Sequence, residues 1–341
     1  MKHAELMRKI YTDTPPIRVH SKTFMETRMK TILFISLQFA LIATAFATSA
    51  GTTGFELLRT DGWASNSALG GSQIAVGGNL HSLFSNPAGL TDLQHPKAAV
   101  GFFKHVMDIN AGNLAYAQPL KKIGVAGIGI TYFDYGSFDR ANEYGQKQGE
   151  FGASDFLFTA ALARPFYKSL TGGIALKYLN SSIDSYTASA LAADIGFQYH
   201  TGYFGWDVGA GIYNLGFATS AYLEHKDDLP TAYRLGLSVP LQHLPARFSF
   251  AGEYMEAEGI RGCGGLELTF SKYLQGRLGY NTIGIDQRTG LDSDALAGFS
   301  AGLGIHIKSL SIDYALTSQG EIGYLHRFTI GTTLPGTGIG H

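Results

Sequence analysis

Residues 246–255, Ala-Arg-Phe-Ser-Phe-Ala-Gly-Glu-Tyr-Met, decide how this chain is read. Phe248, Phe250 and Tyr254 fall on one side of an extended ribbon, with Arg247, Ser249, Ala251 and Glu253 on the other. Alternation of this kind marks a strand lying between two unlike environments. It returns at 274–282, where Leu274, Leu278 and Tyr280 oppose Gln275, Arg277 and Asn281, and again at 298–307 and 309–316. Nowhere after Lys97 does a helical period compete with it.

Counting outward from these segments gives about fourteen strands. Their expected spans are 97–106, 111–118, 123–132, 154–164, 171–180, 189–200, 205–215, 231–239, 246–255, 262–270, 274–282, 298–307, 309–316 and 322–334. Strands of ~9–11 residues suit a tilted membrane crossing, whereas soluble strands are mostly ~5–6. Connections between them alternate in length. The stretches 119–122, 165–170, 201–204, 240–245 and 271–273 are short, while 133–153, 181–188, 216–230 and 283–297 read as long loops. An up-and-down barrel in the outer membrane sorts its connections in this way, with short turns at one end. The pattern does not say which strand face points inward. Strand length, and tyrosines near strand ends such as Tyr199, Tyr254 and Tyr280, favour lipid outside. The expected fold is therefore all-β: an up-and-down antiparallel transmembrane barrel of about fourteen strands over 97–334, with a tail at 335–341.

Composition narrows the function. Charged residues make up 16% of the 341, below the ~25% usual in soluble domains. A net charge of −1 argues against nucleic-acid binding, which needs a basic face. Cys263 is the single cysteine, which excludes an internal disulfide and a cysteine-rich metal site.

The N-terminal residues read as an export signal. Arg28 and Lys30 precede an apolar run to about Ala47, and Ala45-Phe46-Ala47 fits a cleavage site. Ser36 and Gln38 interrupt the run, which falls short of the ~20 apolar residues of a spanning helix. Residues 1–50 are thus expected to be an extension plus a cleavable signal peptide, with translation starting at Met29. Export then places the protein in a bacterial outer membrane. Residues 51–96 are rich in small residues and poor in charge. They are expected to fold as a hatch inside the lumen, where glycines on the polar strand faces leave room.

The pairing of Ala68-Leu-Gly-Gly71 with Ser85-Asn-Pro-Ala-Gly-Leu90 resembles the N-terminal signature of the PorV/PorQ family, within the wider FadL-like group of outer-membrane barrels. Later stretches resemble that family's strands in order, among them Leu229-Pro-Thr-Ala-Tyr-Arg-Leu-Gly236, Arg277-Leu-Gly-Tyr-Asn281 and Leu310-Ser-Ile-Asp-Tyr314. The resemblance spans about 55–334. It implies a fourteen-stranded barrel with a hatch. It also implies a role in type IX-like secretion or cargo attachment, with exported proteins or secretion components as partners beside outer-membrane lipid. FadL relatives instead imply uptake of hydrophobic small molecules through a lateral opening. One departure is the C-terminus, which runs past the last strand instead of ending on an aromatic residue.

No catalytic constellation stands out. No H-E-x-x-H pair is present; Gly298-Phe-Ser-Ala-Gly302 has the G-x-S-x-G spacing but, like Gly124–Gly129, lies in an alternating strand instead of at a strand-to-helix turn. Asp286, Asp292 and Asp294 lack calcium-loop spacing. No enzyme activity, cofactor or metal is expected. A barrel lipase would draw on His200, His306 or His326, but nothing marks a nucleophile. An adhesive role for the 133–153 loop is the remaining reading. Two groups are candidate functional residues. Gly70, Gly71, Asn86, Pro87 and Ala88 form the hatch motif, either gating or simply capping and turning the chain. Arg247, Glu253, Glu267 and Arg277 lie on polar faces of neighbouring strands, where opposite charges are expected to pair in the lumen.

Overall fold

The computed structural model describes residues 54–104, 109–224, 226–256, 258–288 and 292–335. The expected signal peptide, the expected start at Met29 and most of the C-terminal tail lie outside the described residues.

Fourteen strands follow one another: β1 Lys97–Lys104, β2 Asn110–Leu120, β3 Gly124–Ala141, β4 Lys147–Pro165, β5 Leu170–Ile183, β6 Tyr186–His200, β7 Asp207–Ser220, β8 Ala232–Pro240, β9 Ala246–Met255, β10 Gly259–Thr269, β11 Leu274–Asn281, β12 Phe299–Ile307, β13 Leu310–Ser318 and β14 Tyr324–Thr333. Each pairs antiparallel with its successor, and β14 pairs with β1 through Phe102↔Phe328, which closes the cylinder. Closure leaves no sheet edge, the condition for crossing lipid with strands. Among the described residues no helix is long and apolar enough to cross a membrane.

The faces separate as a membrane barrel requires. Phe102, Ile128, Leu176, Phe217, Leu278 and Ile305 point outward and are exposed. Asp194, Ser249, Arg277, Asp313 and Arg327 point inward and are buried. This is the inverse of a soluble barrel.

All fourteen expected strands exist, but two expected loops do not. Within 133–153, β3 continues to Ala141 and β4 begins at Lys147, with Phe138 paired to Phe151. Within 181–188, β5 reaches Ile183 and β6 starts at Tyr186, leaving a tight turn in which Asp184 takes a φ of 55°. The β3–β4 extension is exposed on both faces, so its side chains carry no apolar–polar alternation. Connection length therefore sorts by end less cleanly than the sequence suggests.

The end holding Lys97 and Thr333 is the terminus end; the opposite one is the far end. Residues 54–96 lie inside, folded as short helical turns at Glu56–Arg59, Ala64–Ser67, Gln73–Ala75, Ser82–Ser85 and Pro87–Asp92. The hatch presses its backbone against inward glycines of successive strands. A Cβ on Gly196 of β6 would lie 2.0 Å from Asn86 Oδ1, and one on Gly279 of β11 would lie 2.3 Å from the Gly70 nitrogen. Gly173, Gly209, Gly265 and Gly302 meet the hatch in the same manner. Small residues on the lumenal face thus form a belt in which the hatch sits.

Candidate functional site

The hatch divides the lumen. On its far side a cavity of about 420 Å³ is bounded by Phe103, Ile109, Phe133 and Leu325 on one flank and by Arg234, Glu253 and Arg261 on another. Its apolar flank belongs to a cluster of buried residues that includes Leu57 and Leu58 of the hatch and Leu157, Leu179 and Ala192 of the wall. Phe103 and Phe133 meet edge to face at 5.5 Å. Glu56 and Tyr135 line both this cavity and a groove of about 410 Å³ at the far end, walled by Phe55, Phe138, Phe151 and Ile183. The far-end hairpin makes that groove, because Phe138 and Phe151 stack at 5.5 Å across the two extended strands. A mostly apolar path therefore leads from the far-end surface into the lumen.

Ion pairs border the cavity. Arg59 of the hatch holds Glu258 at 2.5 Å and Glu56 at 2.9 Å. Arg234 pairs with Glu253 and lies 4.6 Å over the Tyr213 ring. Arg327 donates to the Asp61 carbonyl at 2.8 Å and lies 4.5 Å over Phe103. Asp61 accepts from Trp63 N, Asn66 Nδ2 and Ser67 Oγ at 3.0, 2.7 and 3.1 Å, yet burial still raises its carboxyl above the ordinary range.

The terminus side holds a second, more polar cavity of about 450 Å³, lined among others by His81, Asp92, Lys97, Arg247, Arg277 and His306. Burial, aided by the nearby cations Arg277 and Lys97, pushes His81 down to about 3. Asp92 is raised, chiefly by burial, against the opposing pull of His200.

The candidate residues fall into distinct places. Asn86 caps the turn at 87–92 by accepting from Ala88 N at 3.2 Å, with Pro87 at its first position. Its Nδ2 donates to the carbonyls of Ile74 at 2.8 Å and Phe197 at 3.1 Å, which ties the hatch to itself and to β6. Gly70 and Gly71 have φ values of 68° and 86°. Asn281 donates to the Gly70 carbonyl at 2.9 Å, and both glycines line the far-side cavity. The four wall charges do not form one network. Arg277 holds Glu267 at 2.8 Å and Asp313 at 2.5 Å, whereas Glu253 takes Arg234, and Arg247 turns to Ser238 at 2.8 Å.

Sequence reasoning missed Arg59–Glu258 and a buried pair, Lys177–Asp194, at 2.6 Å. Lys177 alternates with the outward Ile174, Leu176 and Tyr178 on β5, so its inward position was available from the pattern. The lone histidines are not gathered: His200 sits 2.8 Å from Asp207 at the terminus end, while His326 lies 2.9 Å from Tyr314 Oη on the outer face. No group of side chains suited to a metal ion occurs among the described residues.

One stretch of wall is irregular. The β6–β7 register shifts between Ala193 and Ile195, and Asn214 takes a φ of 57°, its N–H donating to Asp194 Oδ1 at 2.8 Å. The β7–β8 ladder ends at Tyr213↔Ala232, although β7 runs on to Ser220. Side-chain bonds take over there: Asn214 Nδ2 donates to the Pro230 carbonyl at 3.2 Å, and Thr231 Oγ1 to the Asn214 carbonyl at 3.2 Å. By contrast, β3 is paired without a shift from Val125 to Asp134 on both sides.

Neither a family model nor a curated protein matches this sequence. Solved structures do. The toluene transporter TbuX of Ralstonia pickettii is similar over 84% of this chain and 100% of its own, with TM-score 0.58 at 12% identity. The toluene transporter TodX of Pseudomonas putida is similar over 80% and 96%, with TM-score 0.56 at 12% identity. A FadL homologue of Pseudomonas aeruginosa is similar over 80% and 97%, with TM-score 0.51 at 9% identity. With its closed fourteen-strand cylinder and inner hatch, this chain has the fold of the FadL-like outer-membrane barrels.

Proposed function

We propose that the protein is an outer-membrane channel that takes up a hydrophobic small molecule. The observation carrying this reading is the apolar path from the far-end groove, past Tyr135, to the cavity beside Phe103 and Phe133. Its volume suits a small guest, since ligand cavities run ~300–1,000 Å³. The terminus end, with its short turns, faces the periplasm, and the far end faces outside. A guest leaves the groove, crosses to the lumenal cavity and stops at the hatch, which Asn86 and the glycine belt hold against the wall. We place its exit where β7 outruns β8, because backbone pairing is missing there and Phe217 and Leu215 already face lipid.

The likeness to toluene transporters supports uptake over the secretion and cargo-attachment role implied by the PorV/PorQ resemblance. Uptake of radiolabelled toluene and dodecane by protein-loaded vesicles tests the proposal. Faster uptake than in protein-free vesicles, reduced by Phe133→Arg, is the expected result. Equal rates for loaded and protein-free vesicles would refute it.

A further inference from the structure

A third cavity, of about 60 Å³, lies between the hatch and the wall, lined by both. It shares Arg59, Asp61 and Asn66 with the far-side cavity, and Trp63 and His81 with the terminus-side cavity. The middle chamber thus adjoins both cavities. The middle chamber has mixed walls: Asn66, Ser85, Asn113, Thr131 and Lys177 stand beside Leu57, Leu58, Trp63, Phe84 and Leu157, and a hydrocarbon would pass only by stripping the polar groups of their partners.

Two polar atoms on residues lining this chamber have no protein partner. His81 Nε2 and Ser85 Oγ both border the middle chamber and make no hydrogen bond to protein, although His81 is 3% and Ser85 6% exposed. Gln73 Oε1, on a residue lining the terminus-side cavity, is in the same condition. A buried polar atom left unmatched costs about 1–3 kcal/mol, and several in one small hatch would not be tolerated. Water supplies the match. A volume of 60 Å³ exceeds the ~10–15 Å³ that one water needs, and its walls offer the two to four polar partners that hold it.

We infer that a hydrated seam between hatch and wall joins the two lumenal cavities, and that the barrel conducts water across the membrane by this seam. His81 and Ser85 are part of its polar lining. Larger solutes are stopped, because elsewhere the hatch backbone is pressed into the glycine belt. The inference goes beyond the uptake of hydrophobic molecules and does not depend on it.

Stopped-flow light scattering tests it, on phosphatidylcholine vesicles carrying the protein and subjected to a sucrose step. Loaded vesicles should shrink several-fold faster than protein-free vesicles. His81→Phe, which fills the seam, and Ser85→Ala, which removes its hydroxyl with little change of volume, should each slow shrinkage. Heat-modifiable gel mobility shows in each case that the barrel is folded. Shrinkage no faster than in protein-free vesicles overturns the inference, as does an unchanged or increased rate in both variants. Toluene uptake is read in the same vesicles, so vesicles that take up toluene without passing water defeat the seam and leave the uptake reading standing.

Discussion

Asn86 and Gly196 fix the hatch to the wall. The Asn86 side chain crosses β6 at the one inward position without a side chain, and its amide reaches the Phe197 carbonyl beyond. Asn86→Ala deletes two buried hydrogen bonds donated by its amide and leaves two carbonyls unmatched, a loss of about 2–3 kcal/mol of docking. Gly196→Val drives the side chain out altogether. Both variants should keep the barrel yet raise ion conductance in planar bilayers. Conductance equal to that of the unaltered protein would show that the hatch is held elsewhere.

Arg277 bridges three strands. It holds Glu267 on β10 and Asp313 on β13, and the absence of a side chain at Gly304 on β12 lets the second bond pass. Arg277→Met strands two carboxylates, and removing one partner of a buried pair costs about 3–5 kcal/mol. The urea midpoint of the vesicle-inserted barrel should drop clearly. Adding Glu267→Gln and Asp313→Asn should recover most of that drop.

His81 gives the hatch a pH response of known sign. Its ordinary value is 6.5 and burial lowers it to about 3. The undocked hatch therefore binds a proton that the docked hatch refuses, and docking weakens as pH falls from 6.5 towards 3. Asp61 and Asp92 are raised, so their contributions run the opposite way. The difference between the unaltered protein and His81→Asn isolates the histidine. Proteolysis of the hatch should rise on acidification more steeply in the unaltered protein than in the variant; equal slopes would rule the histidine out.

The outward face can be tested by charge. Leu278 is exposed on β11 beside inward Arg277. Leu278→Arg should cost about 2–4 kcal/mol if it sits near the bilayer midplane, less towards either interface. Ser249→Thr, on the lumenal face of β9, should cost far less. Refolding yields into vesicles that rank the two the other way would place lipid on the wrong side.

The fourteen strands were legible because lipid and lumen demand different side chains, which writes a period of two into the sequence. The far-end hairpin was not, since Phe138 to Ala141 and Lys147 to Glu150 stand in one medium on both sides. The hatch was legible as a small-residue segment and its place as a set of inward glycines. Partner choice was not. Arg277 finds Asp313 two strands away, and Arg59 finds Glu258 on a connection between β9 and β10. Both depend on how far neighbouring strands are staggered and on where the hatch rests, and neither is written in the local pattern.

Cys263, the chain's single cysteine, lines the far-side cavity and gives the most direct test that an apolar guest occupies it. The rate of Cys263 alkylation by a water-soluble maleimide is measured with and without toluene or dodecane. An apolar guest should slow labelling, whereas glucose at equal concentration should not. Labelling indifferent to every apolar compound would contradict the account.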